Sequence, residues 1–230
     1  MLSSPILLDY QSSTPCHQEV VDAMKPYWNQ IFGNPSSKSN LAGIYSSAAL
    51  EVSREKIIQK LNLKNQKIIF TSGATEANNL ALLGYARDFR IRTGSFGNII
   101  TLKTEHSAVL EPIRQLAKEG FTITEIRPQE NGLINQEILL NAIKKDTFLV
   151  SIMLANNEIG VIQPVNDIAQ ICKSRKIIFH TDAAQCIGYL PLNLISRNAN
   201  MITLSSHKIY GPKGVGLLII DEDINLEPLV

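Results

Sequence analysis

Short runs rich in Ile, Val and Phe recur along this chain. Between several of them lie stretches whose apolar residues return every three or four positions. The runs are Lys67–Thr71, Asn98–Leu102, Thr122–Ile126, Phe148–Met153, Ile177–Thr181, Met201–Leu204 and Gly214–Ile220. They are mostly apolar with little alternation, the pattern of strands buried on both faces of a parallel sheet. The helical stretches are Ala48–Leu61, Glu76–Arg90, Ser107–Glu119 and Asn166–Lys173. In Asn166–Lys173 the residues Ile168, Ala169, Ile171 and Cys172 form one face, with Asn166 or Asp167 as cap. In Ser107–Glu119 the face is Leu110, Ile113, Leu116 and Ala117, and Gly120 is the stop. Pro112 moves the expected start of this helix later than Ser107. Strand–helix–strand repetition predicts an α/β fold: a doubly wound, mostly parallel sheet of about seven strands with helices on both faces. The interval from Leu204 to Gly214 has no room for a crossover helix, so the last strand is expected to run antiparallel to its neighbour.

The 230 residues are 44% apolar and 19% charged, which suits a packed core and excludes a disordered chain. They suffice for one large domain or two small ones, and no internal repeat or low-complexity linker divides them. Lys and Arg number 22 against 21 Asp and Glu, a net charge of +1, so no basic field is available for nucleic acid. Cys16, Cys172 and Cys186 share no C-x-x-C or zinc-like spacing, which points to a reducing compartment and no structural metal. The run from Met1 to Leu8 has no basic flank and is cut off by Asp9, so it does not read as an export signal. The longest apolar runs, such as Val215–Ile220, are too short to span a bilayer. These features predict a soluble, cytoplasmic protein with neither membrane nor nucleic acid as partner.

Open α/β sheets bind ligands beyond the carboxyl ends of their strands. Four such ends carry polar residues. Thr71-Ser72-Gly73-Ala74-Thr75-Glu76 joins a strand to a helix through small residues. It reads either as an anion site of backbone N–H groups or as an ordinary turn capped by Ser72 or Thr75. His180-Thr181-Asp182 places a carboxylate just past a buried strand, where it must cap a helix or pair with a cationic heterocycle. His180 reads as a packing residue with a local hydrogen bond. Lys208 follows Ser205-Ser206-His207 and precedes a Gly-Pro turn; it is a surface lysine or a Schiff-base amine. His106, after Thr104-Glu105, neighbours a helix cap or acts in catalysis.

Together an anion site, a buried carboxylate, a lysine amine and an imidazole are the parts needed by a pyridoxal 5'-phosphate enzyme. No nucleotide P-loop, Rossmann glycine signature, zincin H-E-x-x-H or hydrolase G-x-S-x-G occurs.

The wording and order of seven segments add to this. They are Leu8-Asp9-Tyr10 through Thr14-Pro15, Phe32-Gly33-Asn34-Pro35-Ser36-Ser37, Thr71–Glu76, Thr104-Glu105-His106, Asn156-Asn157-Glu158-Ile159-Gly160, Thr181-Asp182-Ala183-Ala184-Gln185 and His207–Gly214. Over essentially the whole chain they resemble the cysteine desulfurases, fold-type I pyridoxal phosphate enzymes of the class V aminotransferase type. The group that supplies sulfur for iron–sulfur clusters is the one resembled. The resemblance implies that Lys208 holds the cofactor and Asp182 pairs with its pyridinium nitrogen. It makes His106 the ring-stacking residue that moves protons. Gln185 hydrogen-bonds the ring oxygen, with Asn157 near that oxygen and the substrate carboxylate. Ala74, Thr75, Ser205 and His207 take the phosphate. It further implies L-cysteine as substrate, L-alanine as product, a homodimer, and a sulfur-acceptor or scaffold protein of iron–sulfur assembly as partner.

The chain also departs from that pattern. The family continues into a small C-terminal domain carrying the cysteine nucleophile and a substrate-clamping arginine, preceded by a threonine that reaches the partner subunit's phosphate. Residues 1–230 therefore read as the pyridoxal phosphate-binding large domain with its N-terminal segment. Such a piece is not expected to release sulfide at a normal rate alone. Cys16, Cys172 and Cys186 do not match the nucleophile's motif, and Cys186 reads as packing. Gln11-Ser12-Ser13 stands where smaller apolar residues are usual, and Asn40 where histidine is common. Two other readings remain open: a selenocysteine lyase-like enzyme, and a non-catalytic remnant that binds pyridoxal phosphate or a partner protein.

Overall fold

Residues 6–191 and 199–230 are described by the computed structural model; the Met1–Pro5 part of the N-terminal reading lies outside them. One sheet of seven strands organises the chain, in the order β1-β7-β6-β5-β4-β2-β3. The strands are β1 (Gln66–Thr71), β2 (Asn98–Leu102), β3 (Thr122–Ile126), β4 (Thr147–Ser151), β5 (Ile178–Asp182), β6 (Met201–Ser205) and β7 (Gly216–Asp221). β7 lies antiparallel to both β1 and β6, and the other neighbours pair parallel. β2 and β3 have the predicted bounds. The remaining strands differ by one or two residues, where single hydrogen bonds such as Ile152 N to His180 O prolong the pairing.

The mostly apolar strand sequences follow from burial. Every residue of β2, β4 and β6 is buried. The expectation of two buried faces fails for β3, whose Thr122 and Glu125 are exposed, because it is an edge strand covered less completely. Successive side chains fall in opposite layers. Ile100, Val150 and Ile202 pack with helices α3 (Leu41–Leu61), α7 (Gln136–Ala142) and α8 (Val165–Ser174). Ile99, Leu149 and Met201 pack on the other face with α4 (Ala74–Asn79), α5 (Tyr85–Thr93) and α6 (Ser107–Glu119). α4 and α5 are one rod joined by a π turn over Leu80–Gly84. Among the described residues, no helix is long and apolar enough to cross a membrane.

Three local expectations are corrected. α6 begins at Ser107 despite Pro112, because His106 accepts a hydrogen bond from Ala108 N and fixes the start; Pro112 is buried inside the helix. Pro164, not Asn166 or Asp167, holds the cap position of α8. Its ring presets a φ of −75° and no side-chain bond is needed. Gly73, not Ser72 or Thr75, caps α4, while Glu76 reaches back to Ser72 N and Oγ. Helices α1 (Gln18–Met24), α2 (Pro26–Asn29) and α7 were not anticipated. α1 and α2 bury no residue and α7 fully buries only Leu139, so their sequences carry no core stripe.

β7 opens with Gly216, which pairs with Thr71 on one side and Ser205 on the other. A Cβ there would lie 2.5 Å from the carbonyl carbon of Gly73, closer than any tolerated contact. Gly216→Ala is expected to force the Ser72–Thr75 turn away and to cost about 1–3 kcal/mol, read as a lower urea midpoint. An unchanged midpoint would show that the turn yields freely.

Candidate active site

Because β7 alone runs against the rest, the carboxyl ends of β1, β2, β4, β5 and β6 meet along one edge of the sheet, as the switch-point rule for open α/β sheets requires. A cleft of about 490 Å3 opens there, within the range of small-ligand sites. All the site residues named from sequence line it. Ala74 and Thr75 follow β1, His106 follows β2, and Asn157 follows β4. Asp182 ends β5 with Gln185 beyond it, and Ser205, His207 and Lys208 end β6. Lys213 and Gly214, from the turn before β7, complete the rim.

Asp182 lies deepest. Its Oδ2 accepts from the Asn78 side-chain amide at 2.7 Å, and its Oδ1 accepts from Ala184 N at 2.9 Å. Burial pushes its pKa up; the two hydrogen bonds and the positive potentials of His106 and Lys208 pull it back. Glu105 is also buried, and burial pushes its carboxyl well above the usual range. Its Oε1 accepts from Met153 N at 2.7 Å. Burial and the nearby Asp182 both favour the protonated form of Glu105, which disfavours a second negative charge beside Asp182.

Lys208 Nζ donates to the backbone oxygens of Gln11, at 2.6 Å, and Ser12, at 3.0 Å. Burial lowers its pKa, opposed by Asp182 and Asp9. A lowered ammonium pKa increases the fraction of free amine, the nucleophilic form. The segment supplying those oxygens is pinned by Thr14, whose N and Oγ1 both donate to His207 O while Oγ1 accepts from Tyr210 N. Gln185 Nε2 donates to Gln11 O at 3.0 Å. This clasp was missed because its groups are backbone oxygens, invisible to residue type.

His106 takes the cap position of α6 and also lines the cleft. Its Nδ1 caps α6, so in the neutral ring Nε2 carries the proton at the cleft. The Asn156-Asn157 pair divides its work. Asn156 is buried, donating to Thr104 O and accepting from Glu158 N and Ile159 N, and only Asn157 lines the cleft. His207 Nδ1 lies 3.2 Å from Ser13 Oγ, and burial with Lys208 and Lys213 lowers its pKa. No side chain caps α4, so its first-turn N–H groups are left for whatever enters the cleft beside Gly73, Ala74 and Thr75. Ser205 Oγ is buried there with no hydrogen-bond partner among the described residues. Asn78 was also missed; the only signal was a polar residue on the buried face of a helical stretch.

A family model for aminotransferase class-V matches residues 6–229. The cysteine desulfurase IscS of Neisseria meningitidis serogroup C / serotype 2a is 44% identical over 219 residues, which are 95% of this chain and 54% of that protein. The chain thus spans about half the length of the curated relatives it matches. A solved structure described as a NifS-like protein superposes with a TM-score of 0.91 at 35% identity, covering 99% of this chain and 62% of that one. Another, described as SspA in complex with cysteine, gives 0.89 at 37% identity, covering 98% and 65%.

His180 stands one turn of the pleat below Asp182 but does not line the cleft. Its Nδ1 is 2.8 Å from Ser151 Oγ and its Nε2 is 3.2 Å from Thr203 Oγ1. Burial drives its pKa from 6.5 to about 3. With the folded value depressed, the unfolded chain takes up a proton first as pH falls. The stability from His180 is complete above 6.5 and is lost as pH falls toward 3. His180→Asn removes this titration. Between about pH 7 and pH 5 the parent is expected to lose stability relative to the variant by up to about 1.4 kcal/mol per pH unit, read from urea unfolding. A pH-independent difference would mean that His180 is not held neutral.

Proposed function

The chain belongs to the class-V aminotransferase family, and from that membership we propose that it is the cofactor-binding part of a cysteine desulfurase. The proposed reaction takes sulfur from L-cysteine, leaves L-alanine, and passes the sulfur to a cysteine thiol as a persulfide for iron–sulfur or thio-cofactor assembly. The single observation that carries the reading is the convergence of Lys208, Asp182 and the uncapped Gly73–Thr75 turn on one cleft.

Pyridoxal 5'-phosphate fits this donor set. The phosphate needs an anion cradle, and first-turn N–H groups, the unpartnered Ser205 Oγ and the His207 ring supply one. The pyridine nitrogen needs a carboxylate, and Asp182 is a buried one held on both oxygens. The aldehyde needs an amine, and Lys208 has one made more nucleophilic by burial. When bound, the cofactor supplies an electron sink for carbanion chemistry at the substrate α-carbon.

The remaining roles belong to the chain. Lys208 would hold the cofactor; its amine gains the lone pair for that bond by losing a proton, which its lowered pKa favours, while the Gln11 and Ser12 oxygens position it. Asp182 keeps a proton on the pyridine nitrogen by charge pairing. His106, at the cleft, would stack on the ring and hold a proton on Nε2 for transfer. Asn157 and Gln185 give the polar rim that orients ring oxygen and substrate carboxylate. Cys172 and Cys186 are unsuited to accept sulfur, since burial pushes both thiols to about 12.

Residues 1–230 are read as the large domain. The proposed setting is the cytoplasm, which three free cysteines suit. The proposed partners are a second copy and a sulfur-acceptor or scaffold protein. Exposed Trp28, Phe32, Leu41 and Tyr45 give an apolar surface that such contact would cover.

Borohydride reduction in the presence of pyridoxal phosphate, followed by peptide mapping, is expected to label Lys208. A label spread over exposed lysines such as Lys145 and Lys173 would sink the reading. Alkylation of the native chain at neutral pH is expected to modify half-buried Cys16 and spare Cys172 and Cys186. Modification of Cys186 as fast as Cys16 would restore it as a sulfur acceptor.

A further inference from the structure

Asn78 is completely buried in α4, two residues before the rod widens into its π turn. Its two ends are treated unequally. Nδ2 donates to Asp182 Oδ2 at 2.7 Å, whereas Oδ1 is buried with no hydrogen-bond partner among the described residues. The orientation is forced, because turning the amide over would set two oxygens against each other. An asparagine kept for packing satisfies both ends, and an apolar side chain would fill the site without an orphaned acceptor. This one gives up its own acceptor to serve Asp182.

We propose that Asn78 is a positioning residue for Asp182, fixing the carboxylate's rotamer and its ionised form so that it faces the cleft. The inference rests on the pyridoxal phosphate reading for its purpose but not for its geometry. Ala184 N holds Oδ1, and Asn78 holds Oδ2 from across the sheet face. With both oxygens tied, rotation about the side chain is arrested and the remaining lone pairs point one way. The other groups that act on Asp182 cannot do this. His106 and Lys208 act through space from the cleft, burial and Asp182 disfavour a charge on Glu105, and burial pushes the Cys186 thiol up to about 12. The π turn supports the arrangement: it adds one residue to the rod just after Asn79 and so resets which residues beyond it face the sheet. Asn78 can then face β5 while Ala81, Leu82 and Ala86 still reach the core.

The test follows the Asp182 carboxyl carbon by 13C NMR during a pH titration of the chain without cofactor. In Asn78→Ala the Asp182 pKa is expected to rise by about one to two units, the loss of one hydrogen bond to a charged group. In Asn78→Asp, which keeps the shape, two carboxyls share one proton and the Asp182 titration is expected to move upward as well. With pyridoxal phosphate added, the absorbance change of the bound cofactor should titrate at a different pH in both variants than in the parent. A merely structural asparagine would lower stability and leave the Asp182 titration where it was, and that result overturns the proposal. If Asn78→Ala does not fold, Asn78→Leu, which is close in size and also lacks the donor, decides in the same way. Failure of the parent to bind pyridoxal phosphate counts against the cofactor reading; an Asp182 titration indifferent to residue 78 counts against this one.

Discussion

A carboxylate buried at the end of a parallel strand is expensive to keep charged, and the architecture around Asp182 is arranged to meet that cost. The strand buries it, so its partners must come from the protein. One is the N–H of Ala184, available because the chain turns directly after β5. One is the Asn78 amide, available because α4 crosses the face of the sheet on which Asp182 projects. The rest is positive potential from the open side, where Lys208 and His106 stand. Asp182 and the residues of the cleft are thus bound by one electrostatic balance. The upward push on Glu105 belongs to it, since Asp182 disfavours a second negative charge in that space.

The antiparallel β7 determines how the groups meet. Had the chain crossed over by a helix after β6, the ends of β1 and β6 would be separated by a parallel strand with its own exit loop. Instead β7 enters from the cleft side, so its first residue touches both Thr71 and Ser205. Gly216 lets the Gly73 backbone come within what would be Cβ distance, and Gly73 opens α4 with its N–H groups uncapped. The proposed anion cradle is therefore assembled from three strands, and Gly216 lets them come close.

How much of this was legible follows from which forces leave marks in sequence. Strands β2 and β3 were bounded correctly because Asn98, Thr122 and the flanking glycines Gly97 and Gly120 punctuate apolar runs. The cleft residues were legible because strand ends are short and polar residues there need a reason. α1 and α2 bury nothing, so no period betrayed them. The start of α6 was misjudged since Pro112 was weighed as a breaker, while its capping histidine and a face of Val109, Ile113 and Leu116 outweigh one lost N–H. The division between Asn156 and Asn157 could not be read at all. Two identical residues side by side point to opposite sides of the chain, and only the tertiary partners of Asn156 decide which is which.

The N-terminal segment shows why the site is a property of the whole chain. Thr14 closes on His207 and Tyr210, and the Gln11 and Ser12 oxygens close on Lys208, across sequence separations of 193 to 197 residues. Contacts so distant carry a large loop-closure cost, so they form only once the sheet has brought both ends to the same edge. A lysine at a strand end is flexible and strongly hydrated by itself. The clasp replaces its water with two backbone oxygens and confines it above Asp182. Both effects shape its chemistry: confinement fixes where the amine lies, and partial burial lowers the proton affinity that would keep it inert. The amine proposed to hold the cofactor is therefore placed by backbone oxygens of a stretch that the Thr14 and Ser13 side chains fasten to the end of β6.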